Sequence, residues 1–396
     1  MSAPHTLRVT LALIAANGLS AAAASQFMFV LPWMLLARGH SPTFAALATA
    51  CVYVPMLLFA VPAGMTSDRT DPRRVMLVAL TLTLAASALY PLATLGGIDT
   101  FVLVLVAGAV TGALRNFMEG ALMRGMADTT AGAGLLRAHA IRTTVVQTAV
   151  FGSPFVGLLL FHAGGAAAVL AGVCALLAVA LAIVAVIPAG ALVAGARVAT
   201  PLRNVTAGFA SLRGNPRLQA IGWANLTWNV FAGAAIGIMP AVLREHIGLN
   251  EVQASVTFAV GALAVVGLTL PLVRLVQQRV GAILTFLLAV GAQGLAVLLF
   301  ADGGVAILAP LLYALFLLSN SAAASSLNGA RALEVDQDHQ ALVNLALSTI
   351  GLIGFIVGLV AAAGLLGPLG FGALLVLIAA GLASTAVGFR RPLVAA

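Results

Sequence analysis

The chain has 396 residues, 62% of them hydrophobic and 8% charged, with a mean hydropathy of +1.12 and a formal net charge of +8. A soluble domain carries roughly 25% charged residues, so too little polar sequence is present to cover a water-facing surface, and a soluble protein is excluded. All 19 basic residues are arginine, and their spacing accounts for the charge better than nucleic-acid binding does.

About twelve apolar stretches of roughly 20 residues follow one another, each long enough to cross a hydrocarbon core of about 30 Å as a helix. Lipid offers no partner to backbone N–H and C=O groups, so these segments must be helical. The predicted spans are 9–36, 43–65, 74–96, 100–123, 138–161, 165–188, 218–243, 252–274, 281–300, 304–329, 340–366 and 369–389. Arg8, an apolar run and Ala21 to Ala24 imitate a signal peptide, but the run continues to Leu36, too long for one, and predicts a retained first span. Read as a serpentine from a cytoplasmic N-terminus, one side receives sixteen arginines from Arg8 to Arg391, and the other only Arg38 and Arg244. That bias predicts both termini in the cytoplasm.

Between spans two and three stands Gly64-Met65-Thr66-Ser67-Asp68-Arg69-Thr70-Asp71-Pro72-Arg73-Arg74. A glycine permits close helix approach, and a carboxylate at a cytoplasmic helix end can face a positive helix terminus or an arginine. This loop resembles that of the major facilitator superfamily. The resemblance implies a conformational latch of Gly64, Asp68, Arg69, Arg73 and Arg74, completed by Asp128 pairing with Arg73. It also implies an all-α membrane protein of twelve transmembrane helices in two six-helix bundles, working by alternating access around a cavity. The bundles are expected at residues 1–188 and 218–396, joined by a basic cytoplasmic linker, 189–217.

Span four carries Arg115-Asn116-Phe117-Met118-Glu119-Gly120, similar to an arginine–glycine element of the same family. Arg115 lies nine residues from Arg124, about 13–14 Å inside the cytoplasmic end. An arginine there costs about 2.5–3.5 kcal/mol on insertion scales, which usually signals a partner and water. Glu119, four residues on and on the same face, is the expected partner and a proton-coupling candidate with Arg115; a static counter-ion is the alternative. In span five, Gly152-Ser153-Pro154-Phe155-Val156-Gly157 resembles the family's Gly-Pro-x-x-Gly element. Gly152, Pro154 and Gly157 are expected to pack that span against the other half.

Candidate substrate contacts are Asn17 and Gln26 in span one, Asn116 in span four, Gln147 in span five, Asn225, Trp228 and Asn229 in span seven, Asn320 and Ser325 in span ten, and Asn344 in span eleven. The same residue types also bond helix to helix. The set is nearly uncharged, which favours an amphipathic small molecule. Glu334 to His339 form an acidic cluster placed to cap span eleven. Cys51 and Cys174 suggest neither disulfide nor metal site, and the six histidines show no ligand spacing. No metal, cofactor, catalytic residue or nucleic-acid partner is expected; protons, a small-molecule substrate and the bilayer are, with a monomeric chain.

Within the family, the Asp-Arg-x-Asp-x-Arg-Arg loop and Glu119-Gly120-Ala121 are most similar to drug and siderophore exporters of the macrolide-efflux and enterobactin-export kinds. The resemblance implies a proton-coupled exporter of amphipathic small molecules in a bacterial inner (plasma) membrane. An uptake permease of the same fold, or a non-transporting scaffold or sensor, are the rival readings.

Overall fold

The computed structural model describes residues 3–98, 100–130, 133–188, 214–334 and 340–390. The described residues are helical throughout, joined by short turns. Among the described residues, eight helices are long and apolar enough to cross a membrane, and a bent pair, Pro42–Leu58 with Ala60–Ser67, makes a ninth with a 44° break. Three of the eight are each two helices meeting at a glycine whose φ an L side chain rarely adopts: Gly165 (63°) within Ala133–Val186, Gly281 (81°) within Glu251–Phe300 and Gly370 (72°) within Gln340–Gly388. Twelve spans result.

Span one runs Ala3–Ser25, a π-helical turn Gln26–Val30, and Leu31–Ala37. Span two is Pro42–Leu58 with Ala60–Arg69, span three Pro72–Leu95, span four Val102–Thr129. Spans five and six share Ala133–Val186; span seven is Pro216–Ala241 with a second π-helical turn, Val242–His246. Spans eight and nine share Glu251–Phe300, span ten is Ala309–Glu334, and spans eleven and twelve share Gln340–Gly388. The break between the last two falls at Gly370, not at Gly367-Pro368 as the composition suggested; Pro368 is accommodated inside the helix.

Local chemistry starts these helices. Asp71 caps span three, its carboxylate accepting from the Arg73 N–H at 2.9 Å, with Pro72 in the first turn where no N–H is needed. Asn215-Pro216-Arg217 repeats the device at span seven, with bonds of 2.9 and 3.2 Å to the Arg217 and Leu218 N–H groups. Asn250 and Gln253 form a reciprocal capping box at span eight.

The helices fall into two compact units, residues 1–34 with 51–200, and 35–50 with 201–396. Of the expected linker, 189–213 lie outside the described residues. In the first unit, span four lies on span two along a small-residue row. A Cβ at Gly108 would touch Val52 and Phe27, one at Gly112 would collide with the Val52 carbonyl, and one at Gly120 would press on Ser67. Such rows let backbones approach without a hydrophobic drive. In the second unit, spans seven and eleven meet the same way: Gly233 lies on the Phe355 backbone, Gly354 on Leu226 and Gly358 on Val230.

Candidate functional site

The row Gly108, Gly112, Asn116, Gly120 of span four recurs every four residues and faces span two. Thr111, Arg115 and Glu119 form the adjacent row, one residue earlier and so turned by about 100° on the helix. Asn116 belongs to the packing row: its amide donates to the Met56 carbonyl at 2.5 Å, just before the bend in span two. It therefore serves helix packing rather than an open surface.

The second row carries the charge. Glu119 forms an ion pair with Arg142 of span five, their side chains 34% and 16% exposed. This corrects the expectation that Arg115 is its partner. Residue 142 already lies inside the predicted fifth span, 138–161, and that position was the signal; counting it with the cytoplasmic arginines concealed it. Arg115 stands midway along Val102–Thr129. Its Nη1 is buried without a hydrogen-bond partner, although the residue as a whole is partly exposed. Tyr53 of span two and Arg142 lie within electrostatic reach of it. Two guanidinium groups thus share one carboxylate among the described side chains. In low dielectric an excess of positive charge attracts an anion.

Around this centre, Asn17 of span one is fully buried, and neither its amide nitrogen nor its amide oxygen has a partner. The Thr10–Thr129 hydroxyl bond of 2.9 Å and the approach of Phe27 to Gly108 fix spans one and four antiparallel, so Asn17 sits at about the depth of Glu119. Gln26 donates to the Ser153 carbonyl at 2.8 Å, while its own Oε1 is unpaired. The Ser25 and Ser153 hydroxyls meet each other and each lies 2.9 Å from the Ala22 carbonyl, so one donates to that carbonyl and the other to its neighbouring hydroxyl. A Cβ at Gly157 would strike Gln26 and Val30. The Gly-Ser-Pro-x-x-Gly element thus packs on span one, inside its own unit, at Gly157, which corrects the expectation of contact with the other half there. Gly152 meets open space, and Pro154 is buried within the helix. Gln147 is half-buried.

In the second unit, Trp228 donates to Gln293 Oε1 at 2.9 Å, and Gln293 donates to Asn320 Oδ1 at 3.1 Å, a chain joining spans seven, nine and ten. Asn225 donates to the Leu347 carbonyl of span eleven at 2.7 Å, and Asn229 donates back to the Asn225 backbone and side-chain oxygens at 2.8 and 3.0 Å. Trp228 and Asn225 are buried, and Trp228 also meets Phe286 edge-on at 6.0 Å. The face expected to line a cavity is instead committed largely to helix contacts. Gln293, wholly buried, was missed; a lone glutamine in an apolar run was its only sequence signal. Ser325 is exposed and Asn320 half-buried. The side chain of Asn344 lies outside the described ones.

At the cytoplasmic loop, Arg73 donates to the Ala185 carbonyl at 2.9 Å, in the last turn of span six, where a cation meets the negative end of a helix. Arg124 donates to the Ser67 carbonyl at 2.8 Å. Gly64 has open space where a Cβ would stand. Arg69 and Arg74 are exposed. The side chains of Asp68 and Asp128 lie outside the described ones. Glu334 pairs with Arg217 at 2.9 Å rather than capping span eleven, and residues 335–339 lie outside the described ones. Among the described residues, no three His, Cys, Asp or Glu side chains cluster as metal ligands would.

No curated protein matches this sequence. Solved structures share its fold. The nucleoside transporter NupG has a TM-score of 0.76 at 13% identity, over 97% of this chain and 98% of its own. The human organic anion transporter MFSD10 (TETRAN) has 0.71 at 15%, over 97% and 99%. A bacterial homologue of the human lysosomal transporter Spinster has 0.69 at 16%, over 100% and 96%. The family model of the Major Facilitator Superfamily matches residues 13–362, and with that match over most of its length the chain belongs to the Major Facilitator Superfamily of membrane transporters.

Proposed function

We propose that this transporter is a proton-coupled exporter of amphipathic small molecules in a bacterial plasma membrane, with Glu119 as the proton-carrying group. The observation that carries the reading is the Glu119–Arg142 pair on two membrane-spanning helices, with Arg115 one turn away and its Nη1 without a hydrogen-bond partner among the described residues. Ionised Glu119 neutralises Arg142. Protonated Glu119 releases it and leaves two arginines without a counter-charge. The proton therefore changes which groups the substrate meets, which is what coupling requires. The titratable and charged groups in play are Glu119 and Arg115 on span four, Arg142 on span five and Tyr53 on span two.

Export rests on the resemblance of the loop after span two to that of efflux proteins. In this reading the loop from Gly64 to Arg74 acts as a latch between conformations, its exposed Arg69 and Arg74 available to partners, and the two helical units alternate access as one chain. Asn17, Gln26, Gln147 and Asn320, which are not fully satisfied by the contacts above or only part-covered, are the substrate-facing candidates that remain.

The test begins with thermal stabilisation of the purified protein by a compound panel, since a ligand of the folded state raises its melting temperature. The best hit is then followed in everted vesicles under an imposed pH gradient. Accumulation driven by the gradient in wild type, and its loss in Glu119→Gln with gradient-independent exchange retained, supports the reading. Unchanged gradient dependence in Glu119→Gln removes Glu119 as the coupling site, and accumulation only in right-side-out vesicles makes the protein an uptake permease.

A further inference from the structure

We infer that the transported substrate carries an anionic group, a carboxylate or a phosphate, which docks on the Arg115 guanidinium; this rests on the transport reading and adds the substrate's chemical class.

Arg115 is midway along span four, where a lone arginine costs about 2.5–3.5 kcal/mol on insertion scales. Buried cations persist when hydrogen-bonded to an opposite charge. Here the obvious carboxylate is already taken: Glu119 pairs with Arg142. Arg115 keeps a buried Nη1 that donates to nothing, with Tyr53 near it and a second guanidinium adding repulsion rather than relief. Among the described side chains the cluster carries one positive charge in excess. Part of the residue is exposed even so. A guanidinium is a planar fork that matches the two oxygens of a carboxylate or phosphate, so the missing partner has a defined shape as well as a sign.

Position makes the centre exchangeable. Arg115 and Glu119 are four residues apart on one face, so an anion on Arg115 sits one turn from the Glu119 carboxylate. Two anions there repel unless one is protonated. Anion binding and the protonation state of Glu119 are therefore linked through the pair of arginines. The rest of span four is chiefly alanine, glycine, valine and leucine, which suits an apolar body behind a single charged head.

The probe is 4-phenylbutanoate against its neutral amide, 4-phenylbutanamide, with the full-length protein in uncharged detergent at constant ionic strength. The expected result is a melting temperature raised by ~2–4 °C by the carboxylate near saturation and unmoved by the amide. The carboxylate shift should vanish in Arg115→Gln and weaken about tenfold in apparent affinity in Arg115→Lys, which keeps the charge but loses the fork. Should Arg115→Gln not fold, Arg115→Lys and the acid–amide pair in wild type carry the test. Equal shifts from acid and amide, or a full carboxylate shift in Arg115→Gln, overturn the inference. An Arg115-dependent shift from phosphatidylglycerol, with none added by the carboxylate, overturns it as well, because the anion site then belongs to lipid. The gradient experiment on Glu119→Gln is read separately: loss of coupling leaves the anion site standing, and loss of the acid–amide difference leaves the proton site standing.

Discussion

Arg142 of span five closes an ion pair onto Glu119 of span four, and so ties together two helices that follow one another in the chain. The pair is half-covered. Breaking one partner of a fully buried pair costs about 3–5 kcal/mol, largely through the charge left behind.

Arg142→Gln alone is expected to lower stability by about 1–2 kcal/mol, less than that limit because Glu119 is one-third exposed. Glu119→Gln combined with Arg142→Gln removes both charges and should recover most of the loss. Thermal unfolding of the two single variants and the double variant gives the coupling. Additive losses would show that the two side chains do not interact.

The glycine rows make a sharper prediction about packing. A Cβ at Gly112 collides with the Val52 carbonyl, and one at Gly358 with the Val230 carbonyl, whereas Gly64 and Gly152 face open space. Backbone cannot yield as a flexible side chain does. Gly112→Ala and Gly358→Ala are therefore expected to lose about 1–3 kcal/mol each, and Gly64→Ala and Gly152→Ala to keep wild-type melting temperatures. The four single variants, melted side by side in one detergent, check this. Wild-type behaviour of Gly112→Ala would mean that spans two and four are not in backbone contact there.

The helices were legible because hydrophobic runs of bilayer length leave little choice in lipid. The breaks were nearly as legible, since glycine marks them, although Gly370 and not Gly367 carries the positive φ. Pairing was not. Periodicity says that Arg115 and Glu119 share a face of one helix, but the partner that reaches that face comes from another helix, and a single sequence carries no signal for which residue that is. Gly157 failed for the same reason: a small residue announces a close approach without naming the neighbour, here Gln26. The asparagines and Trp228 of span seven show the opposite limit. Polar groups in lipid must find partners, and Asn225 and Trp228 found them on spans eleven and nine rather than in a cavity.

Gln293 is the hinge of that second-unit chain, donating to Asn320 while accepting from Trp228. Gln293→Leu strands the Trp228 N–H at a buried site and should cost about 1–3 kcal/mol. Trp228→Phe made in the same background removes the stranded donor, so the double variant should fall short of the summed losses. Tryptophan emission, followed through thermal melts, reports both the altered environment and the stability. An unshifted melt in Gln293→Leu would show that the bond contributes nothing.

Asn17 separates stability from function. Its side chain is wholly buried and both amide atoms lack partners. A buried polar group left unsatisfied costs about 1–3 kcal/mol. An apolar residue of similar volume removes that cost, so Asn17→Leu is expected to raise the melting temperature. A residue kept against its own stability cost is kept for something that occupies it during the cycle, and its depth beside Glu119 makes the substrate the natural occupant. Asn17→Leu should therefore transport more slowly while melting higher. Both are measured on one preparation, by thermal unfolding and by uptake into everted vesicles. A variant both more stable and fully active would reduce Asn17 to a packing defect, and a less stable one would show that its amide is satisfied in the membrane.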